Sequence, residues 1–327
     1  MAMATLNQTI KEQLYKVDND YSKLIHKKSV SFKCSIIIPC HNQNEKLKFC
    51  LESLAKQNFS EAFEIIVADD NSKIPLDIND YKDYANKVKL KIVRLKKNLG
   101  AATARNIGVL HSKHNLLIFL DADMVIPENY IKTQVNYHKN YDNIVTVGMR
   151  EKLLTSSIKK IKTKANYKKD FRYEKFIPRS WKAFHLNEKN IFARKYNLLK
   201  ETDNFKQFGF GKKIGVWSLQ DMVVSSSIAI KKKHFLRARG FDIRFPKAWY
   251  EDIHFGAKLL ANNIKIIPVK SITAYHLVDK IDNDYITNKI IIKNNKKLYN
   301  KLIEERIKIG TKKSFIKSIN KYAKYYK

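Results

Sequence analysis

The stretch Leu116-Leu117-Ile118-Phe119-Leu120-Asp121-Ala122-Asp123 decides the fold. Its first five residues are apolar, which indicates a buried strand. Its last three place two carboxylates around one small residue at the point where that strand ends. Carboxylate oxygens in such a compact cluster suit a hard divalent cation and the phosphate groups that it binds. The stretch therefore predicts a buried strand that delivers acidic side chains to one edge of a sheet.

Strands alternate with helices on both sides of this stretch. Predicted strands cover residues 35–38, 63–68, 90–95, 116–120 and 144–147, and predicted helices cover 44–57, 78–87, 101–110 and 128–140. This alternation predicts parallel βαβ units in a doubly wound, mostly parallel α/β sheet. Ligands of such folds bind at the carboxyl ends of the strands. Polar clusters fall at those ends, at residues 40–42, 69–72, 96–105 and 121–123.

The pattern changes after residue 150. Residues 151–215 carry 18 Lys and Arg against 6 Asp and Glu, and we expect a basic insert of helices and long loops there. The predicted core then continues with strands over 221–230 and 264–268, a helix over 251–262 and a further segment over 271–276. The sequence thus divides into a helical lead-in (1–33), two halves of one core (34–150 and 151–280) and a basic helical C-terminal extension (281–327).

Composition narrows the class of protein. An apolar fraction of 44%, with 17 Tyr and 17 Phe in 327 residues, indicates a globular chain rather than a disordered one. No apolar run approaches the roughly 20 residues that a bilayer span requires, and the N-terminus lacks a hydrophobic signal core. The three cysteines (Cys34, Cys40 and Cys50) are sparse and odd in number, which favours reduced thiols. We therefore expect a cytoplasmic protein.

The charge is extreme, because 64 Lys and Arg face only 31 Asp and Glu, a net of +33. Such a surface favours anionic partners: nucleotide diphosphates, acidic phospholipids, nucleic acid or an acidic peptide. Alternatively, many of these lysines lie on solvated faces and bind no partner, which explains much of the charge equally well.

Five motifs, taken together and in order, resemble the family 2 glycosyltransferases of GT-A fold. They are Ser35-Ile36-Ile37-Ile38-Pro39-Cys40-His41-Asn42, Ile65-Ile66-Val67-Ala68-Asp69-Asp70-Asn71-Ser72, the run Asn98 to Gly108, Phe119 to Asp123, and Gly240-Phe241-Asp242 with Trp249-Tyr250-Glu251-Asp252. The resemblance spans roughly residues 33–277. It implies an inverting transfer from a nucleotide sugar, with residues 34–150 binding the donor and 151–280 binding the acceptor.

The resemblance also implies a donor and metal site. Asp123 and His276 would bind Mn²⁺ or Mg²⁺, and Asp121 would contact the ribose or the ion, although a lone histidine such as His276 is as often structural. Asp70 would accept a hydrogen bond from a uracil ring, which favours a UDP-sugar. Arg105 would contact phosphate or ribose, unless it simply pairs with a carboxylate at the sheet edge. The full set of donor-binding residues is Pro39, Cys40, His41, Asn42, Asp70, Gly100, Arg105, Asp121 and Ala122.

The acceptor site implied by the resemblance lies at the start of the helix 251–262. Asp252 would be the general base, and Glu251 would help to hold the acceptor or the metal shell. Acidic residues also suit a first helical turn for dipole reasons alone. Trp249 and Tyr250 would form an aromatic platform for the acceptor, with Trp217 bordering the sugar pocket. The acceptor could be a glycan, a lipid-linked sugar or a peptide side chain.

Two other classes of protein compete with this interpretation. A nucleotidyltransferase would carry a glycine-rich phosphate loop with lysine after the first strand, and residues 39–42 lack one. A nucleic-acid-binding protein would explain the charge but not the acidic motifs. The basic extension 281–327 is predicted to lie on anionic lipid, dock an acidic partner or cap the core as a solvated helix. The first of these would place the protein peripherally at the inner face of the membrane.

Overall fold

The computed structural model describes residues 8–16, 24–25, 32–85, 88–161, 164–170, 172, 220–280 and 288–320. Most of the predicted insert 151–215 and Trp217 lie outside these residues. The strands are β1 (Cys34–Cys40), β2 (Phe63–Asp69), β3 (Lys89–Arg94), β4 (Leu116–Leu120), β5 (Met124–Val125), β6 (Ile144–Leu154), β7 (Ser227–Lys231) and β8 (Lys265–Val278). The helices are α1 (Ile10–Lys16), α2 (Asn44–Ala55), α3 (Lys82–Ala85), α4 (Ala101–His111), α5 (Tyr130–Asn140), α6 (Lys232–Arg237), α7 (Glu251–Ala261), α8 (Lys289–Ile303) and α9 (Lys312–Asn320).

The eight strands form one sheet in the order β3-β2-β1-β4-β7-β6-β8-β5. Strands β1 to β4 are mutually parallel, and β6 is parallel to β8. The antiparallel pairs are β4 with β7, β7 with β6, and β8 with β5. The predicted α/β fold is confirmed, and parallel pairs outnumber antiparallel ones. Because β4 lies next to β1, the ends of β1, β2 and β4 meet at one edge, as the polar clusters predict.

The second half of the sheet differs in detail from the sequence prediction. Residues 265–268 and 271–276 belong to one continuous strand, β8, which begins one residue later than predicted. Pro268 lies where the β6–β8 register shifts, and a missing ladder donor is tolerated there. The predicted strand 221–230 begins only at Ser227, since residues 220–222 form a 3₁₀ turn. Val223 is nonetheless fully buried. Apolar residues that pack in the core without pairing explain why the pattern overextended this strand.

The N-terminal helix and the C-terminal extension pack on the same core. Phe315 of α9 is buried with its ring 5.6 Å from that of Phe235, and Ile10 of α1 is also buried. The amide of Ile10 donates to the carbonyl of Glu305 at 3.0 Å, which joins α1 to the segment that follows α8. The protein itself therefore covers the apolar residues Ile10 of α1 and Phe315 of α9, whereas Ile290 of α8 is 77% exposed.

Two further predictions concern the bilayer and the cysteines. In the parts of the chain that the structure describes, no helix is both long and apolar enough to cross a membrane. All three cysteines are free and buried. Burial raises the pKa of the Cys40 thiol to about 12, so it is protonated at neutral pH.

Candidate active site

Asp123 and His276 meet at the edge of the sheet although 153 residues separate them. Strand β5 follows Asp123 directly and pairs antiparallel with β8, with Met124 opposite His276. The amide of Leu277 donates to the carbonyl of Asp123 at 2.8 Å. As a result, Nε2 of His276 lies 3.2 Å from Oδ2 of Asp123. The structure thus brings together two of the three predicted metal ligands.

The chemistry of this pair suits a cation. Oδ1 of Asp123 and Nδ1 of His276 are buried and have no hydrogen-bond partner among the described residues. Burial opposes the charge of Asp123, but the hydrogen bond and charge of His276 hold its pKa below the usual range. A buried carboxylate oxygen without a donor is costly unless something positive is bound to it. Asp123 and His276 therefore fit a divalent cation.

Asp121, the third predicted ligand, faces elsewhere. Its Oδ1 accepts a hydrogen bond from Arg105 at 2.8 Å. Consistent with this, the described residues contain no group of three His, Cys, Asp or Glu side chains arranged to hold a metal. Within the described residues, Asp123 and His276 are thus the two predicted metal ligands that lie together.

Arg105 connects the end of β4 to the start of α7. It is only 3% exposed, and its guanidinium also donates to Oε1 of Glu251 at 3.2 Å. Burial works against its charge, but Asp121 and Glu251 together raise the pKa of Arg105 above its usual value. Of the two alternatives given for Arg105, the structure shows the one in which it pairs with carboxylates at the sheet edge.

The first turn of α7 concentrates negative charge. Burial, and then the charge of Asp252, raises the pKa of Glu251 to about 7, while Arg105 opposes the shift. Burial also raises the pKa of Asp252, whose Oδ1 accepts from the amide of Ile253 at 2.8 Å. Asp221, in the 3₁₀ turn packed on α7, has its pKa raised to about 7 by burial and by Asp252. A carboxylate with a raised pKa is a stronger base once it is ionised.

The two residues before α7 adopt an unusual backbone. Trp249 and Tyr250 have φ angles of 84° and 72°, in the left-handed region that bulky residues rarely occupy. Each such residue costs roughly 1–3 kcal/mol, which the surroundings must offset. The Trp249 side chain is 38% exposed, and the Tyr250 ring lies 5.6 Å from that of Tyr299. Trp249 and Tyr250 immediately precede α7, and their role as a platform for the acceptor stays a prediction.

Asp70 ties the ends of the first strands to α4. Its carboxylate accepts from the amides of Leu99 at 2.7 Å and Gly100 at 2.8 Å. Burial raises the pKa of Asp70, and these two hydrogen bonds oppose the shift. Nδ1 of His41 donates to the Asp70 carbonyl at 2.8 Å, so its Nε2 can accept from Asn98 at 2.9 Å.

The remaining predicted donor residues surround this junction. Asn42 has a φ of 54°, its amide donates to Oγ of Ser72, and its side chain accepts from the amide of Lys73. Pro39 is half-buried, while Cys40 and Ala122 are buried. Gly100 has a φ of +86°, and a Cβ there would lie 2.6 Å from the carbonyl oxygen of Pro246.

Sequence reasoning missed several residues of this region. Arg94 forms an ion pair with the buried Asp69 beneath the Asp70 junction. Asp221 approaches Asp252 from a turn that was predicted to be strand. Asn295 of α8 contacts the backbone of residues 247–249. Its position on the apolar face of α8, three residues after Ile292 and seven before Leu302, is a signal that could have identified it.

Comparison with protein families matches this chain to one of them. Residues 35–201, slightly more than half of the chain, match the model of Glycosyl transferase family 2. The match begins at β1 and includes the Asp70, Arg105 and Asp123 motifs.

Curated relatives are longer than the matched region. The uncharacterized glycosyltransferase YfnE of Bacillus subtilis is 27% identical over 247 residues, which cover 69% of this chain and 60% of YfnE. Chondroitin synthase of Pasteurella multocida is 25% identical over 294 residues, 82% of this chain and 28% of the synthase. The poly(ribitol-phosphate) beta-N-acetylglucosaminyltransferase TarP of Staphylococcus aureus is 34% identical over 119 residues, 36% of each chain. This chain thus spans less than two thirds of each of these relatives.

Solved structures share the fold at low sequence identity. The mannosyltransferase PcManGT of Pyrobaculum calidifontis superposes with a TM-score of 0.55 at 12% identity, covering 96% of this chain and 74% of that one. GalNAc-T7 superposes with a TM-score of 0.51 at 14% identity, covering 88% and 54%.

Proposed function

Because the chain belongs to glycosyl transferase family 2, we propose that it transfers a sugar from a UDP-sugar to an acceptor with inversion at the anomeric carbon. Asp252 accepts the proton of the acceptor as its heteroatom bonds to the anomeric carbon. The bond from that carbon to the diphosphate oxygen breaks, and UDP leaves. We propose that a nucleotide diphosphate lies across the ends of β1, β2 and β4, in contact with Asp70, His41 and Asp123.

The proposed metal ligands are Asp123 and His276. A bound Mn²⁺ or Mg²⁺ would supply positive charge against the diphosphate of the donor and the departing UDP. The buried, unpartnered Oδ1 of Asp123 supports this assignment. PcManGT was crystallised with GDP-Man and Mn²⁺, and GalNAc-T7 with UDP, GalNAc and Mn²⁺, which agrees with a metal in this fold.

Asp121 and Glu251 act through Arg105 in this proposal. The guanidinium donates hydrogen bonds to both carboxylates, so in this proposal Asp121 orients Arg105 rather than binding the cation directly. Glu251 is buried and held away from solvent, which leaves Asp252 as the carboxylate that can reach an acceptor. Trp249 and Tyr250 would stack against that acceptor.

We propose a glycan acceptor ahead of a lipid-linked sugar or a peptide side chain. The names of chondroitin synthase and of TarP describe proteins that build or decorate polymers, which supports this choice. Family membership and the Asp123–His276 pair leave a purely nucleic-acid-binding role without support.

The observation that carries the proposal is the Asp123–His276 pair at the end of β4. It is tested by thermal unfolding with UDP, MnCl₂ or both, with GDP in place of UDP as a second arm. We expect UDP and MnCl₂ together to stabilise the protein by more than the sum of their separate effects. At a hundredfold excess over Kd, the total stabilisation should be about 3 kcal/mol.

Asp123→Asn should remove the metal-dependent part of this shift. Asp83→Asn, an exposed carboxylate on α3, loses the same charge and should retain the full shift. Equal shifts in the two variants, or a wild-type shift that ignores manganese, would reject the metal assignment. A larger shift with GDP would replace uridine by guanosine in the proposal.

A further inference from the structure

The C-terminal helix α8 contacts the backbone of the loop that precedes α7. Nδ2 of Asn295 lies 3.3 Å from the carbonyl oxygen of Lys247, 3.1 Å from that of Ala248 and 2.8 Å from that of Trp249. Asn295 is only 4% exposed, so its side-chain amide lies in the protein interior. Three consecutive carbonyls converge on one buried donor group, which fixes the path of residues 247–249.

The same loop is confined on its opposite side. Phe245 is fully buried with its ring 5.6 Å from that of His254, and the carbonyl of Pro246 approaches Gly100 so closely that a Cβ would not fit. The loop between Phe245 and α7 is therefore held between the start of α4, on the donor side, and α8.

This loop needs external support because its backbone is strained. Trp249 and Tyr250 are both left-handed, and Tyr250 caps α7 without any side-chain hydrogen bond to the helix. If the carbonyls of residues 247–249 lost the Asn295 donor, Trp249 and Tyr250 could return to ordinary φ angles. The first turn of α7, which carries Glu251 and Asp252, would then reorient.

We propose that Asn295 is a positioning residue, which holds the loop 247–250 in its left-handed path and thereby sets the direction of the Asp252 carboxylate. The C-terminal extension is then a working part of the acceptor side. This inference rests on the proposed role of Asp252 as the base.

The test compares Asn295→Asp with Asn294→Asp. The first removes the amide donor with little change of size, and the second makes the same substitution one residue earlier on the exposed face of α8. Asn295→Ala removes the donor without burying a charge, and serves if Asn295→Asp does not fold. Asn295→Gln retains an amide donor and tests rescue.

The first readout is amide hydrogen exchange in peptides covering residues 245–254, which does not depend on activity. We expect exchange there to accelerate at least tenfold in Asn295→Asp or Asn295→Ala, and to stay at the wild-type rate in Asn294→Asp. Unchanged exchange in both Asn295→Asp and Asn295→Ala would show that Asn295 does not hold the loop in place.

The second readout is UDP release from UDP-GlcNAc, UDP-glucose or UDP-galactose, using whichever the wild type hydrolyses fastest. We expect kcat to fall at least tenfold in Asn295→Asp or Asn295→Ala with the donor KM changed less than twofold, and Asn295→Gln to recover part of kcat. Faster exchange with unchanged kcat would show a structural contact only and overturn the inference. A wild type that releases no UDP from any donor would contradict the proposed function and leave the exchange result standing.

Discussion

At the residue scale, the site is organised around one buried arginine. Arg105 pairs with both Asp121 and Glu251, two acidic side chains from elements that are distant in sequence. Without it, Asp121, Glu251 and Asp252 would crowd one region with uncompensated negative charge, which is costly in a buried setting. Of these three carboxylates, Asp252 is the one that forms no hydrogen bond with the Arg105 guanidinium in the structure.

Replacing Asp252 tests its role as the base. Asp252→Asn should lower the kcat for UDP release by about 10²–10⁴-fold, because the amide cannot accept a proton. The thermal shift with UDP and MnCl₂ should persist, since Asp252 lies on the acceptor side. Asp83→Asn is the control for loss of one carboxylate, and a collapse of the thermal shift in Asp252→Asn would move Asp252 to the donor site.

The same residue sets the expected pH dependence. Burial raises the pKa of Asp252, so the carboxyl stays protonated, and unable to act as a base, to a higher pH than an ordinary aspartate. We therefore expect the wild-type kcat to rise with pH, with its acidic limb above the normal aspartate range near 3.8. Glu251, with a pKa of about 7, adds negative charge as it ionises and should broaden that limb.

Sequence alone predicted some of these residues and not others. Asp123 and Asp252 follow from local motifs, because each motif lies at the end of a strand or the start of a helix. The partner of Arg105 could not be chosen from sequence, since both a phosphate and a carboxylate suit a guanidinium. The position of Asn295 on the apolar face of α8 could have indicated that it is buried, but not which backbone carbonyls it contacts.

At the element scale, the start of α4 links the proposed donor side to the proposed acceptor side. Asp70 holds the amides of Leu99 and Gly100, and Gly100 touches the loop that leads to α7. The sequence predicted this helix and its glycine start, but not the contact with Pro246. Such a contact depends on the long-range placement of α7 against the sheet. The strand pattern likewise predicted β1 to β4 well and overextended β7, because burial without pairing looks the same in sequence.

Gly100→Ala tests this link. A Cβ at a φ of +86° and 2.6 Å from the Pro246 oxygen should cost roughly 1–3 kcal/mol of folding stability. It should also push the 245–250 loop away from α4 and lower the kcat for UDP release. Gly108→Ala, on the same helix, meets only the side chain of Ile37.

The two glycine variants separate stability from geometry. We expect Gly108→Ala to lose stability, measured by urea unfolding, with kcat close to the wild-type value. If Gly100→Ala lost no more activity than Gly108→Ala at the same stability, the contact between α4 and the loop would have no role in turnover.

At the scale of the whole molecule, the division between binding halves and the use of the extension remain predictions. The proposed boundary at residue 150 falls inside β6, so the two halves share a strand. In the extension, Ile292, Leu302, Phe315 and Ile319 are buried against the core. Ile290 and Ile309 are the large apolar side chains of the described part of the extension that remain exposed. Because most of its apolar surface is covered, we expect attachment to a membrane to depend mainly on charge.

The exposed side of α8 is suited to such attachment. Helix α8 contains no acidic residue. Its five exposed lysines are Lys289, Lys293, Lys296, Lys297 and Lys301. A lysine near an anionic bilayer contributes about 1 kcal/mol to binding. Three of them would therefore change the affinity for vesicles by roughly a hundredfold. Deleting the extension would be a poor test, because it would uncover Phe235 and remove Asn295.

Charge substitution on α8 gives the sharper test. Lys293, Lys296 and Lys297 are replaced together by Gln, and a control variant replaces Lys89, Lys132 and Lys164, which are exposed but scattered over the surface. Binding to vesicles containing phosphatidylserine should fall roughly a hundredfold in the α8 variant and far less in the control, because clustered charges act together on one lipid surface. The wild-type affinity should also decline as salt increases, since the interaction is screened within about 8–10 Å at physiological ionic strength. Equal losses in the two variants would mean that the net charge of +33, rather than a face of α8, draws the protein to anionic surfaces.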